Sequence, residues 1–374
     1  MAKKAIKYTK NELIEYKKEL IAISTLSKLF STSSTPMIYY RATENIYCKA
    51  FNAKNVSRTD CTADAHRDGV GVGIKTFTRN FSFQKIAEFD KEMPTLSHLD
   101  KEQKILKIAD SRNKRINTTK AMYGLQKMIY HCVLRNPKGQ IDIFEEPMNE
   151  IRVNKIRFLE EKPSAFVFTD GLEEYEFSFA KSTLYKRFNL QNPLLTFKVT
   201  ILRNPMDALS KLVDFLNEQN KTFSVDLPDS SLPSAVIHLY ALKKGKPYVY
   251  PKSGLNIWNA GGRKRDPNEV YIPYPVSEAK KNRGFFPSRH EKPWDCEMPD
   301  GTILKMRLNS GDADGKAIAS DPNSAFGKWI LRDVLQMPEG HVVTYEDLIS
   351  SGIDSVVFTK HENGKYSCAL IQDD

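Results

Sequence analysis

The sequence lacks long apolar runs, and none approaches the roughly 18 consecutive apolar residues that a membrane-spanning helix needs. The N-terminal stretch MAKKAIKYTKNELIEYKKEL is basic and has no apolar core, so it is not expected to direct export. Cysteine is scarce too, and no CxxC pair occurs among Cys48, Cys61, Cys132, Cys296 and Cys368. This spacing argues against a zinc ribbon and a disulfide framework, so we expect a cytoplasmic protein that does not contact a membrane.

Several catalytic signatures are also missing. The sequence contains no Walker A, HExxH or GxSxG pattern, and its seven histidines form no cluster with metal-ligand spacing. At 374 residues the chain is long enough for two domains that each bury a core. A hydrophobic content of 40% and a charged content of 27% are normal for a soluble globular protein.

Positive charge is in excess. The formal net charge is +10, which favours a polyanionic partner. The excess is broad in residues 1–229, with 37 basic against 28 acidic residues, whereas residues 230–374 have 19 against 18. Within the second part, residues 250–292 concentrate nine basic and four acidic residues. We therefore expect a local basic surface there.

The first part of the chain reads as mixed α and β structure. Apolar spacing predicts a helix over 10–31, and 37–51 is an apolar, aromatic segment of uncertain type. A strand is predicted from 70 to 84, and then a short helix over QKIAEFDKEM and a longer helix over 99–124. Short strands fill 129–200, and a helix covers 206–220. The Pro- and Ser-rich stretch 226–235 is the best linker, so we place the domains at 1–228 and 229–374.

The second part is mostly β with one or two short helices, which suggests a barrel. Its most distinctive stretch, SGLNIWNAGGRKRDPNEVYIPYP (253–275), combines arginines and amides around a Gly-Gly turn. Guanidinium and amide groups pair bidentately with guanine and adenine edges in the major groove. We interpret this stretch as an arm that reads DNA sequence.

Residues 236–371 resemble the DNA-recognition domain of the BfiI/NgoFVII group of restriction endonucleases. The resemblance rests on the arm and, in order, on GFFPS, DGKAIAS, SAFGKWILRDVL and TYEDLISSGIDSVVF. It implies a β-pseudobarrel that grips the major groove with two arms. The first would be 253–272 and the second would lie near 311–328, with these candidate DNA contacts: Asn256, Trp258, Arg263, Arg265 and Asn268, then Lys316, Asn323 and Lys328. An extra Ala-Gly-Gly after Leu-Asn-Ile-Trp-Asn indicates a longer first arm.

The nuclease of BfiI itself needs two HxK motifs, but this chain has only His290-Glu291-Lys292, which we interpret as coincidence. Residues 62–92 weakly resemble PD-(D/E)XK nucleases, which place an Asp on one strand and (D/E)-x-K on the next. Asp64 or the competing Asp68 would bind Mg²⁺, and Lys75 would act on the attacking water. Gly73 occupies the acid position, so Glu88, on the predicted helix after the strand, would be the second metal ligand. Gln84 could orient water or phosphate.

We therefore expect an α+β two-domain protein, with an N-terminal α/β PD-(D/E)XK-like nuclease domain and a C-terminal pseudobarrel. The implied function is a magnesium-dependent, type II-like restriction endonuclease that acts on double-stranded DNA, as a homodimer on DNA and beside a cognate DNA methyltransferase. The alternative is a non-catalytic sequence-specific DNA-binding protein, which the glycine at position 73 favours. A further block, 168–188, has a basic cluster for which we leave open phosphate contact or a surface salt-bridge face.

Overall fold

The computed structural model describes residues 6–56, 62–218, 232–311 and 315–373. These residues form two compact units. The first contains the described residues of 6–90 and 126–218, and the second contains those of 91–125 and 232–373. This division differs from the sequence-based one because it assigns 91–125 to the C-terminal unit. Most of the predicted linker, 226–231, lies outside the described residues.

Within the described residues, groups of consecutive short strands lie between the helices along the chain. The helices are α1 (Lys10–Thr25), α2 (Tyr40–Phe51), α3 (Lys101–Met122), α4 (Pro205–Glu218), α5 (Val276–Lys281), α6 (Ala325–Gly327), which continues as a π-helix over Lys328–Val334, and α7 (Tyr345–Ser350). The strands of the first unit are β1 (Lys54–Asn55), β2 (Ala65–Arg67), β3 (Val70–Phe77), β4 (Phe83–Glu88), β5 (Lys127–Arg135), β6 (Gln140–Pro147), β7 (Arg157–Lys162), β8 (Ala165–Thr169), β9 (Glu174–Ser178), β10 (Thr183–Arg187) and β11 (Leu195–Lys198). Those of the second unit are β12 (Ser234–His238), β13 (Ala241–Lys243), β14 (Lys246–Tyr248), β15 (Ile272–Pro273), β16 (Trp294–Glu297), β17 (Ile303–Asn309), β18 (Ala317–Ser320), β19 (Ser355–Lys360) and β20 (Tyr366–Ile371).

The first unit is built on a six-stranded sheet in the order β1-β2-β3-β5-β6-β11. The pair β3–β5 is parallel and the remaining pairs are antiparallel. Helices α1 and α2 cover one face, and the core between helices and sheet includes Tyr16, Leu20, Tyr47, Phe51, Val72, Ile74 and Val133. The segment of uncertain type, 37–51, is therefore largely helical, because its apolar side chains fall on the face of α2 that meets this sheet.

A second sheet of the first unit has the order β4-β10-β9-β8-β7 and is antiparallel throughout. The prediction of a helix over QKIAEFDKEM is wrong, because most of this stretch forms β4 and pairs with β10. Strand β10 lies about a hundred residues further along the chain, so local periodicity could not reveal this pairing. The two sheets meet where Phe188 contacts Phe77 and Tyr130, with ring centroids 5.6 and 5.1 Å apart.

The second unit contains a seven-stranded sheet in the order β12-β19-β20-β16-β17-β18-β15. Its edge strands β12 and β15 approach each other, so the sheet curls into an incomplete barrel. Buried aromatic rings fill the curl, among them Phe286, Trp294, Phe358 and Tyr366. The predicted mostly β architecture is confirmed for residues 232–373 of this unit.

Helix α3 packs against α7 and the π-helical segment of the second unit. A capping box begins the helix, because Asp100 accepts the Gln103 backbone N–H and Gln103 accepts the Asp100 N–H. Within the segment 91–125, Arg115 Nη2 lies 2.7 Å from Glu92 Oε1. A second ion pair links this segment to the C-terminal part of the unit, because Lys91 Nζ lies 3.5 Å from the buried Asp354 Oδ2.

Across the described residues, no helix is long and apolar enough to cross a membrane.

Candidate functional site

In the first unit, Asp64 and Lys75 meet on one antiparallel hairpin. Asp64 directly precedes β2, and Lys75 lies in β3. The Asp64 N–H donates to the Val72 carbonyl at 2.9 Å, and the Ile74 N–H donates to Asp64 Oδ2 at 2.6 Å. The Asp64 carboxylate thus accepts a β3 backbone N–H in place of a backbone carbonyl, and this bond fixes it near Lys75. This is the arrangement of an Asp and a Lys that the sequence predicts.

The charge of Asp64 is balanced by nearby cations. Burial raises the pKa of Asp64, while Lys75, the Ile74 N–H and Arg41 act in the opposite direction. Arg41 lies on α2 and also pairs with Glu44, with Nη1 3.1 Å from Oε2. Asp64, Lys75 and Arg41 therefore form one charged cluster at the junction of α2 and the hairpin.

Glu44 is a member of this cluster that the sequence reasoning missed. Burial together with the negative charges of Glu44 and Asp64 raises the pKa of the Cys48 thiol to about 12, so both carboxylates act electrostatically on this thiol. Glu44 is buried. A signal existed in the sequence, because Arg41 and Glu44 stand at i and i+3 spacing inside an apolar segment, where paired charges are uncommon.

Asp68 lies away from this cluster. It is in the turn between β2 and β3, with φ of 51° and a side chain that is 73% exposed. Its carboxylate is 3.1 Å from Arg67 Nε. Since four residues of extended chain separate it from Asp64, the two residues are about 13 Å apart along the strand. Of the two competing residues, Asp64 is the one that lies beside Lys75.

Gly73, in the acid position of the motif, faces a filled space. A Cβ placed on Gly73 would lie 2.8 Å from Met148 Cε and 3.4 Å from Tyr130 Cδ1. An acidic side chain at this position would therefore have to displace Met148. The absence of the motif's acid thus has a packing reason.

Glu88 and Gln84 lie on β4, in the other sheet of the unit. The ladder pairs Gln84 with Lys186, then shifts register between Leu184 and Tyr185, and pairs Glu88 with Thr183. Because of this bulge, Gln84 and Glu88 point to opposite faces, and Glu88 forms an ion pair with Lys85. The helix that was expected to bring Glu88 back to Lys75 is not formed, which removes the reason for choosing Glu88.

Gln84 shares its face with a buried polar cluster between the two sheets. Lys186 is 3% exposed, and its Nζ lies 2.8 Å from Glu173 Oε2 and 4.5 Å from the Phe188 ring centroid. Burial raises the pKa of Glu146, the charge of Lys186 opposes this shift, and Glu173 adds to it. Neither predicted role for the basic cluster in 168–188 fits Lys186, because its ammonium is inside the unit rather than on a surface.

No group of three or more His, Cys, Asp or Glu side chains that could hold a metal ion occurs within 6–56, 62–218, 232–311 and 315–373. Asp64 and Glu44 are two carboxylates that both act electrostatically on the Cys48 thiol. Carboxylate oxygens suit Mg²⁺, which usually binds proteins through one or two carboxylates and keeps several waters. By donor chemistry, two carboxylates are a set that Mg²⁺ can take.

In the second unit, Asn256 has a structural place in the first arm. Its side chain is completely buried, and its Nδ2 donates to the carbonyls of Val343 at 2.9 Å and Tyr250 at 3.1 Å. Its Oδ1 accepts the Val343 N–H at 2.9 Å. A base contact would leave these buried backbone groups unpaired. We therefore correct its predicted role: Asn256 anchors the arm and does not carry a DNA contact.

The other candidate contacts of the first arm are of two kinds: some are exposed, and some form hydrogen bonds that hold the arm in its conformation. Arg263 is half-exposed and forms an ion pair with Glu269. Arg265 is largely buried and donates from Nη1 to the carbonyls of Ala260 at 2.7 Å and Gly261 at 2.9 Å, so it shapes the loop. Asn268 Oδ1 accepts from Arg332 Nε at 2.8 Å. Of these, Arg263 is the residue that the folded arm presents to a partner.

Trp258 is partly buried, and its indole N–H has no hydrogen-bond partner within the described part of the chain. In the region of the predicted second arm, Lys316 and Lys328 are exposed, and Asn323 Oδ1 accepts from Arg307 Nη2 at 3.2 Å. Strand β18, which contains Ala317 to Ser320, pairs with β15 at the end of the first arm. The bases of the two predicted arms are therefore adjacent.

A curled sheet that carries two adjacent, partly basic segments is the architecture of a DNA-binding pseudobarrel. Residues 231–362 match the family model of the NgoFVII C-terminal B3-like DNA-binding domain. This match confirms the predicted C-terminal recognition domain, and the mixed α+β fold with its incomplete barrel agrees with it. No curated protein matches the chain. The resemblance of the preceding part to PD-(D/E)XK nucleases stays a prediction.

Proposed function

We propose that the protein is a restriction-type endonuclease that hydrolyses phosphodiester bonds of double-stranded DNA at or near a short sequence. The observation that carries the proposal is the combination of a restriction-type DNA-binding domain with the Asp64–Lys75 hairpin of the first unit. Glu44 replaces Glu88 as the second acid of the proposed site, because its charge and that of Asp64 both act on the Cys48 thiol.

In this mechanism, Asp64 and Glu44 would hold Mg²⁺. The ion would supply a Lewis acid that neutralises charge on the phosphate and lowers the pKa of a bound water. The Lys75 ammonium beside Asp64 would orient the attacking water and stabilise the negative charge that develops on the phosphoryl oxygens. Arg41 pairs with Glu44, and its charge also opposes the raised pKa of Asp64, so one cation acts on both acids.

The test is incubation of purified protein with unmethylated plasmid DNA, first with magnesium and then with magnesium plus a chelator. Discrete fragments that form only with free magnesium are the expected result. Wild-type protein that shifts the DNA in a gel but never cuts it, under either condition and with a range of plasmids, would refute the nuclease assignment while leaving the DNA-binding domain intact.

Matched substitutions test the individual roles. Lys75→Ala, Asp64→Asn and Glu44→Gln should each lower the cleavage rate by about 10²-fold or more, since each removes a group that acts on the transition state or its metal. Lys85→Ala and Glu88→Gln are controls on the exposed face of β4 and should cut like wild type. Loss of cleavage in the Glu88 variant, with activity retained in the Glu44 variant, would reverse the choice between these two acids.

The second candidate is a sequence-specific DNA-binding protein without catalysis. The observation that favours it is Gly73, whose side-chain space is occupied by Met148, so the motif lacks its acid. In that case the first unit would recruit partners or dimerise, and the Lys75→Ala variant would match wild type in every assay.

A cut through both strands needs two active sites or two successive events, so we further propose that the protein acts as a homodimer on DNA. A cognate DNA methyltransferase in the same system would protect the host sequence. Sedimentation of the protein with and without its selected DNA site tests the first of these proposals. A monomer bound to DNA that still makes double-strand cuts in one binding event would contradict it.

A further inference from the structure

The second unit contains a basic cleft outside the two predicted arms. A cavity of about 430 Å³ lies between the end of β19, the segment 282–288 and β17. Its floor is formed by the buried rings Tyr274, Phe286 and Tyr366, and its polar lining includes Arg283 and Lys360. We call this cavity the 283–360 cleft.

Aromatic packing fixes the shape of the cleft. The Phe286 ring stacks on Trp294 with centroids 5.3 Å apart and meets Phe358 edge to face at the same distance. The Tyr366 hydroxyl donates to the Phe285 carbonyl, which ties β20 to the turn that carries the cleft wall. The polar groups at the mouth therefore stand on a rigid base, and binding would require little ordering of the backbone.

Cations outnumber acids in the lining of the cleft, whose charged members are Arg283, Lys360 and Glu291. Glu291 accepts the Ser288 N–H at 2.9 Å and so stabilises the turn. Arg283 is exposed, and the ammonium of Lys360 lies over the Tyr366 ring, 5.8 Å from its centroid. An anion at the mouth would thus meet two cations from different elements.

The cleft adjoins the loop that carries the predicted second arm. Arg289 donates to the Gly311 carbonyl, and the Tyr274 N–H donates to the Lys316 carbonyl at 3.1 Å. Leu308, which lines the cleft, is on β17 directly before this loop. DNA that contacts Lys316 would therefore pass close to the cleft.

We propose that the 283–360 cleft binds phosphates of the DNA backbone, with Arg283 and Lys360 as the contacting cations, and so extends the DNA footprint beyond the arms. The ligand is anionic because the rings of the floor are buried and expose little apolar surface, while the charged lining groups are two cations and one acid, Glu291, which accepts the Ser288 N–H. This inference rests on the DNA-binding domain and does not require that the protein cuts DNA.

The test measures affinity for a 30-base-pair duplex of arbitrary sequence as a function of salt, using the full chain. Each lost phosphate contact should reduce the slope of log affinity against log salt concentration by about 0.9. Lys360→Gln and Arg283→Gln should each show this reduction. Lys365→Gln is the matched control, because Lys365 is exposed in the turn of the same β19–β20 hairpin and does not line the cleft.

A second measurement distinguishes contact with the DNA backbone from a general loss of positive charge. Ethylation interference on a sequence selected by the wild-type protein should reveal phosphates whose modification weakens wild-type binding but not binding of the Lys360→Gln variant. The inference is overturned if no such phosphate exists or if the Lys365→Gln control lowers the slope equally. Wild-type protein that binds no duplex at all would instead refute the DNA-binding function itself.

Discussion

Replacing Asn256 distinguishes most clearly between a residue that stabilises the fold and a residue that contacts DNA. Replacing it by alanine removes three buried hydrogen bonds, two to Val343 and one to Tyr250. Each bond contributes about 1 kcal/mol, and leaving the buried backbone partners unpaired adds to this. We therefore expect the second unit to lose about 3 kcal/mol of stability. A residue whose main role is to touch DNA would instead lose affinity with little change in stability.

The assay uses the intrinsic fluorescence of tryptophan. All three tryptophans, Trp258, Trp294 and Trp329, lie in the second unit, so their emission reports its unfolding in urea. With a denaturant slope of about 2 kcal/mol per molar, a loss of about 3 kcal/mol lowers the midpoint by about 1.5 M.

The control is Asn259→Ala in the same arm. Asn259 is exposed and makes one bond, from Nδ2 to the Pro251 carbonyl at 3.0 Å, so its replacement should change stability by less than about 0.5 kcal/mol. An unchanged urea midpoint for Asn256→Ala, together with weaker DNA binding, would refute the structural role.

Three further predictions concern buried charges. Glu92→Ala should destabilise the tryptophan-reported unit by about 3 kcal/mol, because it removes the buried carboxylate that pairs with the largely buried Arg115; an unchanged midpoint would mean that this ion pair does not stabilise the unit. Lys186→Met should destabilise the first unit, measured by circular dichroism, and more at pH 8 than at pH 5. The reason is that Glu146, whose pKa burial raises, is protonated more at the lower pH, which relieves its repulsion with Glu173. A pH-independent loss of stability would contradict this. Burial raises the pKa of Asp64, so its stabilising contribution is present below the unfolded pKa and is lost as pH rises through the folded value; Asp64→Asn should therefore gain stability relative to wild type as pH rises above about 4, and a constant difference would count against the shift.

Much of the fold follows from local patterns. The α3 helix, the β3 strand and the run of short strands after residue 127 were predicted because apolar periodicity and turn residues are local signals. Strand β4 is not predicted from the sequence, since QKIAEF carries helix-forming residues. Its strand conformation depends on pairing with β10, far along the chain. Likewise, no local signal shows that 91–125 packs with the C-terminal unit.

The residues of the candidate sites likewise divide into those that local sequence signals predict and those that depend on tertiary packing. The Asp64–Lys75 pair was predictable because both residues lie on one hairpin, whose register the sequence nearly determines. Glu44, the second acid of the proposed site, was not predictable, because its position depends on the packing of α2 on the sheet. Asn256 and Arg265 look like DNA contacts by residue type, yet burial makes them organisers of the arm. Residue type predicts which chemistry is available, and tertiary structure decides which groups face outward.

The measurement that tests the central claim most directly is mapping of the DNA ends that the wild-type protein produces from a large unmethylated DNA with magnesium. A nuclease that is directed by the C-terminal domain should leave ends at a constant distance from one short sequence. The same sequence should be selected when the Lys75→Ala variant binds random duplexes. Ends scattered without relation to the selected sequence, or no ends at all, would contradict the account.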